Sequence, residues 1–148
     1  MKPIKLRLAD IKILRSGVRD HPIVFNEEFS LKDVILDVES KFIYRENYVQ
    51  FFSHFHYELK HNDNNIVLGH FDIVYTFDVP NLQEILQDPD LKKALQLNIL
   101  ALSYSTSRGI IYCETKGYAI NEIYLDITSP NELYNSIVEN ESVKAEEV

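Results

Sequence analysis

The stretch NILALSYSTSRG, residues 98–109, decides how this chain is read. It continues a series begun upstream. Leu91, Ala94, Leu95, Asn98, Ile99 and Leu102 recur at helical spacing, so the segment forms a helix with one largely apolar stripe. Asp88 supplies an N-cap and Pro89 the first helical position. Gly109 is expected to take the left-handed position that closes the helix, with Arg108 in the last turn beside the negative end of the dipole. Residues 110–112 then read as extended, and Gly117 as a turn. Such a stripe needs an apolar surface to lie on, and the residues before it provide one.

Upstream the period is two. Ile4, Leu6 and Leu8 alternate in a first strand over residues 4–15, but Ile11 and Ile13 fall on the other parity. Either a bulge sits around Ala9-Asp10 or the strand switches face there. Residues 16–29, with Gly17, Asp20, Pro22 and Asn26, make a long connection. Val34, Leu36 and Val38 mark a second strand extending towards Tyr44, and Arg45-Glu46-Asn47 a turn. Val49, Phe51, Phe55, Tyr57 and Leu59 give a third strand, with Ser53 its small member. Val67, Phe71, Ile73, Tyr75, Phe77 and Val79 give a fourth, which Pro80 ends. Between them HNDNN, residues 61–65, is a hairpin signal, because Asn and Asp tolerate left-handed backbone.

The parity of these sets constrains the hairpin. Facing residues share a side of the sheet, so paired numbers must sum to an even value. That excludes a two-residue loop and favours a loop of odd length, or a bulge. A loop centred on Asp63 sets Phe55 opposite Phe71 and Phe51 opposite Tyr75. Near the C-terminus Ser129-Pro130-Asn131-Glu132 is a capping-box pattern, followed by Leu133 and Ile137 on one face with Tyr134 and Val138 beside them. The fold class is α+β: an antiparallel four-stranded sheet, a long helix, a loop and a short C-terminal helix. One domain spans residues 1–140, and residues 141–148 form a short, acidic, frayed tail.

Composition narrows the function. The chain has 148 residues and a formal charge of -8, with 45% apolar and 26% charged residues, which suits one globular core. No basic cluster outweighs its acidic neighbours, so nucleic acid is an unfavourable partner and basic polypeptide a favourable one. No apolar run reaches the roughly 18 residues of a membrane span, so no membrane insertion is expected. The N-terminal MKPIKLRLADIK has no apolar signal core, and the single Cys113 has no internal disulfide partner. A cytoplasmic location follows as an expectation. Nine Tyr, eight Phe and no Trp fit a β-rich fold and wet interfaces alike.

Asn98-Ile99 and Ser107-Arg108-Gly109, in this helix-end context, resemble the end of the long helix in bacterial export chaperones of the SecB family. The order of elements is similar to that family's as well. Residues 121–127 resemble the linker before its final helix, although Asp126 stands where proline is common. The resemblance implies a cytoplasmic homotetramer, a dimer of dimers built through the sheet edge and the long helix. It implies ATP-independent holding of unfolded polypeptides or preproteins in surface grooves, and delivery to the export ATPase SecA. It implies no enzyme activity and no cofactor. A branch of the family protects an aggregation-prone antitoxin, and that specialised role is the alternative.

Among individual residues, Tyr44, Tyr104, Tyr112, Tyr118 and Tyr124 are the candidate client-binding or interface aromatics. Phe51, Phe55, Phe71, Tyr75 and Phe77 are expected in the core, Cys113 in the core or an interface, and Arg108 as a clamp at the helix end. His54, His56, His70 and Asp72 share the non-apolar strand face, with His56 facing His70 and His54 facing Asp72 in the Asp63-centred register. Such a set suits zinc chemistry, which makes a small metal-binding protein the second alternative; the plainer reading is a polar face whose histidines hydrogen-bond. Gly109 and Gly117 lack the Lys and Ser/Thr partners of a phosphate loop.

Overall fold

The computed structural model describes residues 3–18, 33–61, 64–122 and 129–146. Its elements are β1 (Arg7–Val18), β2 (Val34–Tyr44), β3 (Tyr48–His61), β4 (Asn64–Asp78), α1 (Leu82–Gln87), α2 (Pro89–Glu114), a 3-10 turn (Ala119–Glu122) and α3 (Pro130–Glu146). The expected α+β fold is present. The four strands form one antiparallel sheet in the order β1-β4-β3-β2, which puts β1 and β2 at its edges.

The central hairpin follows the expected register over most of its length: Phe55 pairs with Phe71, and Phe51 with Tyr75. Towards its tip the register slips by one. Glu58 pairs with Val67, Leu59 with Ile66 and His61 with Asn64, so only two residues separate the paired ends. The exclusion of a two-residue connection is therefore corrected. Leu68 is the extra residue of a bulge, and the bulge absorbs the parity conflict. It also exchanges roles locally: Leu68, at 4% exposure, is buried in the core in place of the expected Val67. Asn62 and Asp63 lie outside the described residues.

β1 runs three residues beyond the expected Arg15, to Val18. The bulge near Ala9 is present, and a second register shift lies between Ile13 and Arg15. The first bulge keeps Leu8, Ile11 and Ile13 on one side, opposite Phe77, Tyr75 and Ile73 respectively. That is the side on which the core sits. Val49, Phe51, Phe55, Tyr57 and Leu59 of β3 and Phe71, Ile73, Tyr75 and Phe77 of β4 are all buried there. Leu95, Ile99, Leu100 and Ile111 of α2 close over them. Each such side chain contributes about 1.5–3 kcal/mol by leaving water.

The long helix begins as expected. Asp88 accepts from the backbone N–H groups of Asp90 and Leu91 at 2.9 and 3.2 Å, with Pro89 in the first turn. Its end does not. The helix passes through Gly109 and stops at Thr115, whose N–H donates to the Ile111 carbonyl at 3.0 Å. Residues 110–112 are helical, not extended, and Arg108 lies well inside the helix rather than in its last turn. The left-handed glycine is Gly117, with φ of 86°. The physical reason is burial. Leu95, Ile99, Ser103, Ser107 and Ile111 recur every four residues on the buried stripe, and seating Ile111 outweighs the ~1 kcal/mol that a helical glycine costs.

α1 lies in a segment the local pattern leaves as a loop. Asn81, with φ of 59°, turns the chain after Pro80, and Leu82 and Ile85 then bury one side of a short helix. Ser129 caps α3 by accepting from the Glu132 N–H at 3.2 Å. Leu133, Tyr134 and Ile137 pack on the core, and the helix continues to Glu146, into the segment expected as a frayed tail.

Candidate functional groove

β2 is the less interrupted of the two edges. It pairs with β3 from Val34 to Tyr44 without a register shift, whereas β1 is broken by two. A regular edge leaves evenly presented N–H and C=O groups on its outer side, the template that an added strand needs. Bulges blunt that template on β1.

Along β2 the residues alternate between two surroundings. Val34, Leu36, Val38, Phe42 and Tyr44 are half-buried against the helix-side core, whereas Asp37, Glu39 and Lys41 are exposed on the other face. The floor near the end of β2 is aromatic. Phe42 stacks on Tyr44 at 6.1 Å between ring centroids and tilts against Phe51 at 4.8 Å. Tyr44 is fixed from above: its hydroxyl accepts from Gln96 at 2.5 Å, and the Lys92 ammonium sits 5.5 Å from its ring centre.

α3 covers this side incompletely. Beneath it lies a slot of about 50 Å³ lined by Val38, Phe51, Phe55, Leu100, Tyr104 and Ile137, among others. Beside it an open groove of about 230 Å³ runs between Phe42, Lys92, Lys93, Tyr134 and Val138. Lys93 lies 5.3 Å from the ring centre of Tyr134. The arrangement is a strand edge next to a trough whose slot is apolar and whose open groove is flanked by Lys92, Lys93 and Gln96. It can seat an extended chain by backbone hydrogen bonds and burial of alternate side chains.

The structure sorts the sequence candidates. Tyr104 lines the slot, and Tyr44 stacks on Phe42 and lies against Lys92, both of which line the groove. Tyr112 and Tyr118 lie beyond it, exposed at the C-terminal end of α2, and Tyr124 is outside the described residues. Of the helix-end motif, Ile99 and Ser107 are core residues. Ser107 shares a 2.5 Å hydrogen bond with the buried Tyr75 hydroxyl. Asn98 and Gly109 are exposed and Arg108 is half-buried. Cys113 is exposed in the single chain, so of the two expected positions, core or interface, the core is excluded. Phe42 is the groove residue that sequence reading missed. Its parity with Val34, Leu36 and Val38 was the available signal.

Burial pushes the Tyr57 hydroxyl up to about 12, with Tyr104 as a second cause. Burial also raises Tyr75, against the opposing hydrogen bond to Ser107. On the other sheet face His54 does pair with Asp72, and His56 with His70, as the register requires. His54 Nδ1 bonds the Asp72 carboxylate, and His56 Nε2 lies 3.3 Å from Glu58. Among the described residues no three His, Cys, Asp or Glu side chains are placed to hold a metal ion, and no helix is long and apolar enough to cross a membrane.

The sequence matches no protein-family model, and no curated protein matches it significantly. Its fold is similar to that of a solved Mycobacterium tuberculosis SecB-like chaperone in complex with a ChAD peptide from the HigA1 antitoxin. The TM-score is 0.53 at 18% identity, covering 83% of this chain and 90% of that one. At that identity the likeness is one of fold: the SecB-like sheet followed by a long and a short helix.

Proposed function

We propose that this chain is a SecB-like chaperone that holds a segment of non-native polypeptide in extended form, without nucleotide. The observation that carries this reading is the groove along β2: an unbulged strand edge, an aromatic floor of Phe42, Tyr44 and Phe51, and an apolar slot under α3. A segment added to that edge sends alternate side chains into the trough and the others beside Asp37 and Glu39. The favoured segment alternates apolar or aromatic residues with basic ones, and the net charge of -8 draws it in.

Service to a single partner, such as an antitoxin, is favoured over general export, because the M. tuberculosis structure of this fold holds an antitoxin peptide. Delivery of preproteins to SecA is the broader reading, and the acidic charge is its support. The working form in this proposal is a cytoplasmic homotetramer. Leu8, Ile11 and Ile13 on β1, and Leu102 and Tyr112 on α2, expose apolar surface on the sheet edge and long helix through which the family assembles.

Light scattering with and without an unfolded client tests assembly and holding together. The expected result is a tetramer that takes up client and suppresses its aggregation at near-stoichiometric amounts without ATP. A compact monomer that leaves aggregation unchanged refutes the proposal. Suppression confined to one antitoxin, against a panel of preproteins, separates the specialised role from general export.

A further inference from the structure

The trough beside β2 changes character along its length. The slot under α3 is lined by apolar and small hydroxyl side chains around Val38. The open groove, which begins at Phe42, is lined by Lys92 and Lys93 as well as by Tyr134 and Ile137. Two cations thus flank one end of a binding surface on a chain whose net charge is -8.

Aromatic rings hold both ammoniums at the groove. Lys92 Nζ lies 5.5 Å from the ring centre of Tyr44 on the β2 side, and Lys93 Nζ lies 5.3 Å from that of Tyr134 on the α3 side. A cation over a ring is positioned but not neutralised, so the ammonium N–H groups stay free to donate. Among the described residues neither lysine forms an ion pair. The acids on the same two helix segments are Asp88, already engaged as the cap of α2, and the exposed Asp90 and Glu139. Because Asp88 occupies the first N–H groups of α2, an anion here meets the lysine side chains and Gln96 rather than the helix end.

Spacing fixes where such an anion sits on a held segment. Val38 and Phe42 share one side of β2 four residues apart, about 13 Å along a strand. In a strand added to this edge, a side chain four residues from the one in the slot points into the groove. A side chain three residues away points to the opposite sheet face.

We propose that the groove selects a client segment carrying an Asp or Glu side chain four residues from a large apolar one, with Lys92 and Lys93 as the specificity-determining residues. This rests on the reading of β2 as the client edge. The basic side chains favoured beside Asp37 and Glu39 lie on the other face of the same segment, so the two preferences are compatible. The net charge of the chain opposes an acidic client, and only a local cationic site reverses that preference.

The test uses fluorescence anisotropy with labelled nine-residue peptides whose termini are blocked, so that Glu is the only source of carboxylate. Each has Phe at its centre, Lys at the even positions, Val at the third and seventh, and Glu or Gln at both ends; the symmetry serves either strand direction. The Glu peptide is expected to bind roughly threefold to tenfold more tightly than the Gln peptide. The gain disappears in the double variant Lys92→Gln, Lys93→Gln and shrinks in about 0.5 M NaCl. It survives Lys116→Gln, which removes the same charge elsewhere. An isomer with each terminal Glu exchanged with its neighbouring Lys loses the gain. Far-UV circular dichroism checks that each variant is folded. Equal affinity for the Glu and Gln peptides, or a gain that the double lysine variant retains, overturns this proposal and leaves the holding function standing. Failure of the folded chain to bind any of the peptides overturns both.

Discussion

Replacing Gly109 with alanine distinguishes two accounts of the long helix by the sign of the effect. If Gly109 closed the helix in the left-handed region, a Cβ there would cost about 1 kcal/mol. In the structure Gly109 is inside α2, and a Cβ built on it meets nothing within 4 Å. Glycine in a helix interior is about 0.8–1.0 kcal/mol less favourable than alanine. Gly109→Ala is therefore expected to stabilise the fold by about 1 kcal/mol. With a urea slope of about 2 kcal/mol/M, the denaturation midpoint rises by roughly 0.5 M. Gly117→Ala is the matched control. It also meets no neighbour within 4 Å, but its φ is 86°, so the same substitution there destabilises by about 1 kcal/mol. Far-UV circular dichroism in urea, at two protein concentrations, separates a change in folding from one in assembly. A lowered midpoint for Gly109→Ala with an unchanged one for Gly117→Ala refutes the placement of the helix end.

The Tyr57 hydroxyl is buried with no hydrogen-bond partner among the described residues, so Tyr57→Phe is expected to be neutral or to stabilise by up to about 1 kcal/mol. Its folded value of about 12 lies above the unfolded 10.0, so the folded state holds the proton longer. Stability is then fully present below the unfolded value and falls as pH rises towards the folded one, by at most about 1.4 kcal/mol per pH unit. Tyr57→Phe flattens that slope in alkaline urea titrations; an unchanged slope contradicts the assignment. Asp88→Ala removes the cap of α2 and costs about 1 kcal/mol, read as a fall in melting temperature. Gly69→Ala places a Cβ 3.0 Å from Ile120 Cδ1 and 3.1 Å from the Gly17 carbonyl, and is expected to cost about 1–3 kcal/mol. Phe42→Ala opens the aromatic floor and weakens client peptide about tenfold by fluorescence anisotropy. Unchanged affinity places the client elsewhere.

Much of the fold is legible in local patterns because those patterns are properties of one segment. Period-two alternation places Phe51, Phe55, Phe71 and Tyr75 on one sheet face, and the parity of two strands sets their pairing. Asp88 and Ser129 announce helix starts, because a cap is satisfied within three residues. The candidate groove is only partly legible. Alternation puts Val38 and Phe42 on the same side of β2, but nothing local says that β2 is an edge, or that α3 leaves a slot beside it.

The amino-acid sequence alone therefore determined the strands, their core faces, the central register and the starts of α2 and α3. Tertiary structure decided where α2 ends, how the hairpin tip is built and which edge stays regular. Each depends on a burial gain from residues distant in the chain. Ile111 draws the helix past Gly109, and Leu68 enters the core through a bulge that alternation does not foresee. The opening stretch is helical as expected, but its buried stripe runs through Ile99, Ser103 and Ser107, and Asn98 and Leu102 of the expected stripe are exposed. Its glycine is one more residue in a helix held down from below, and the stop lies beyond it, at Thr115 and Gly117.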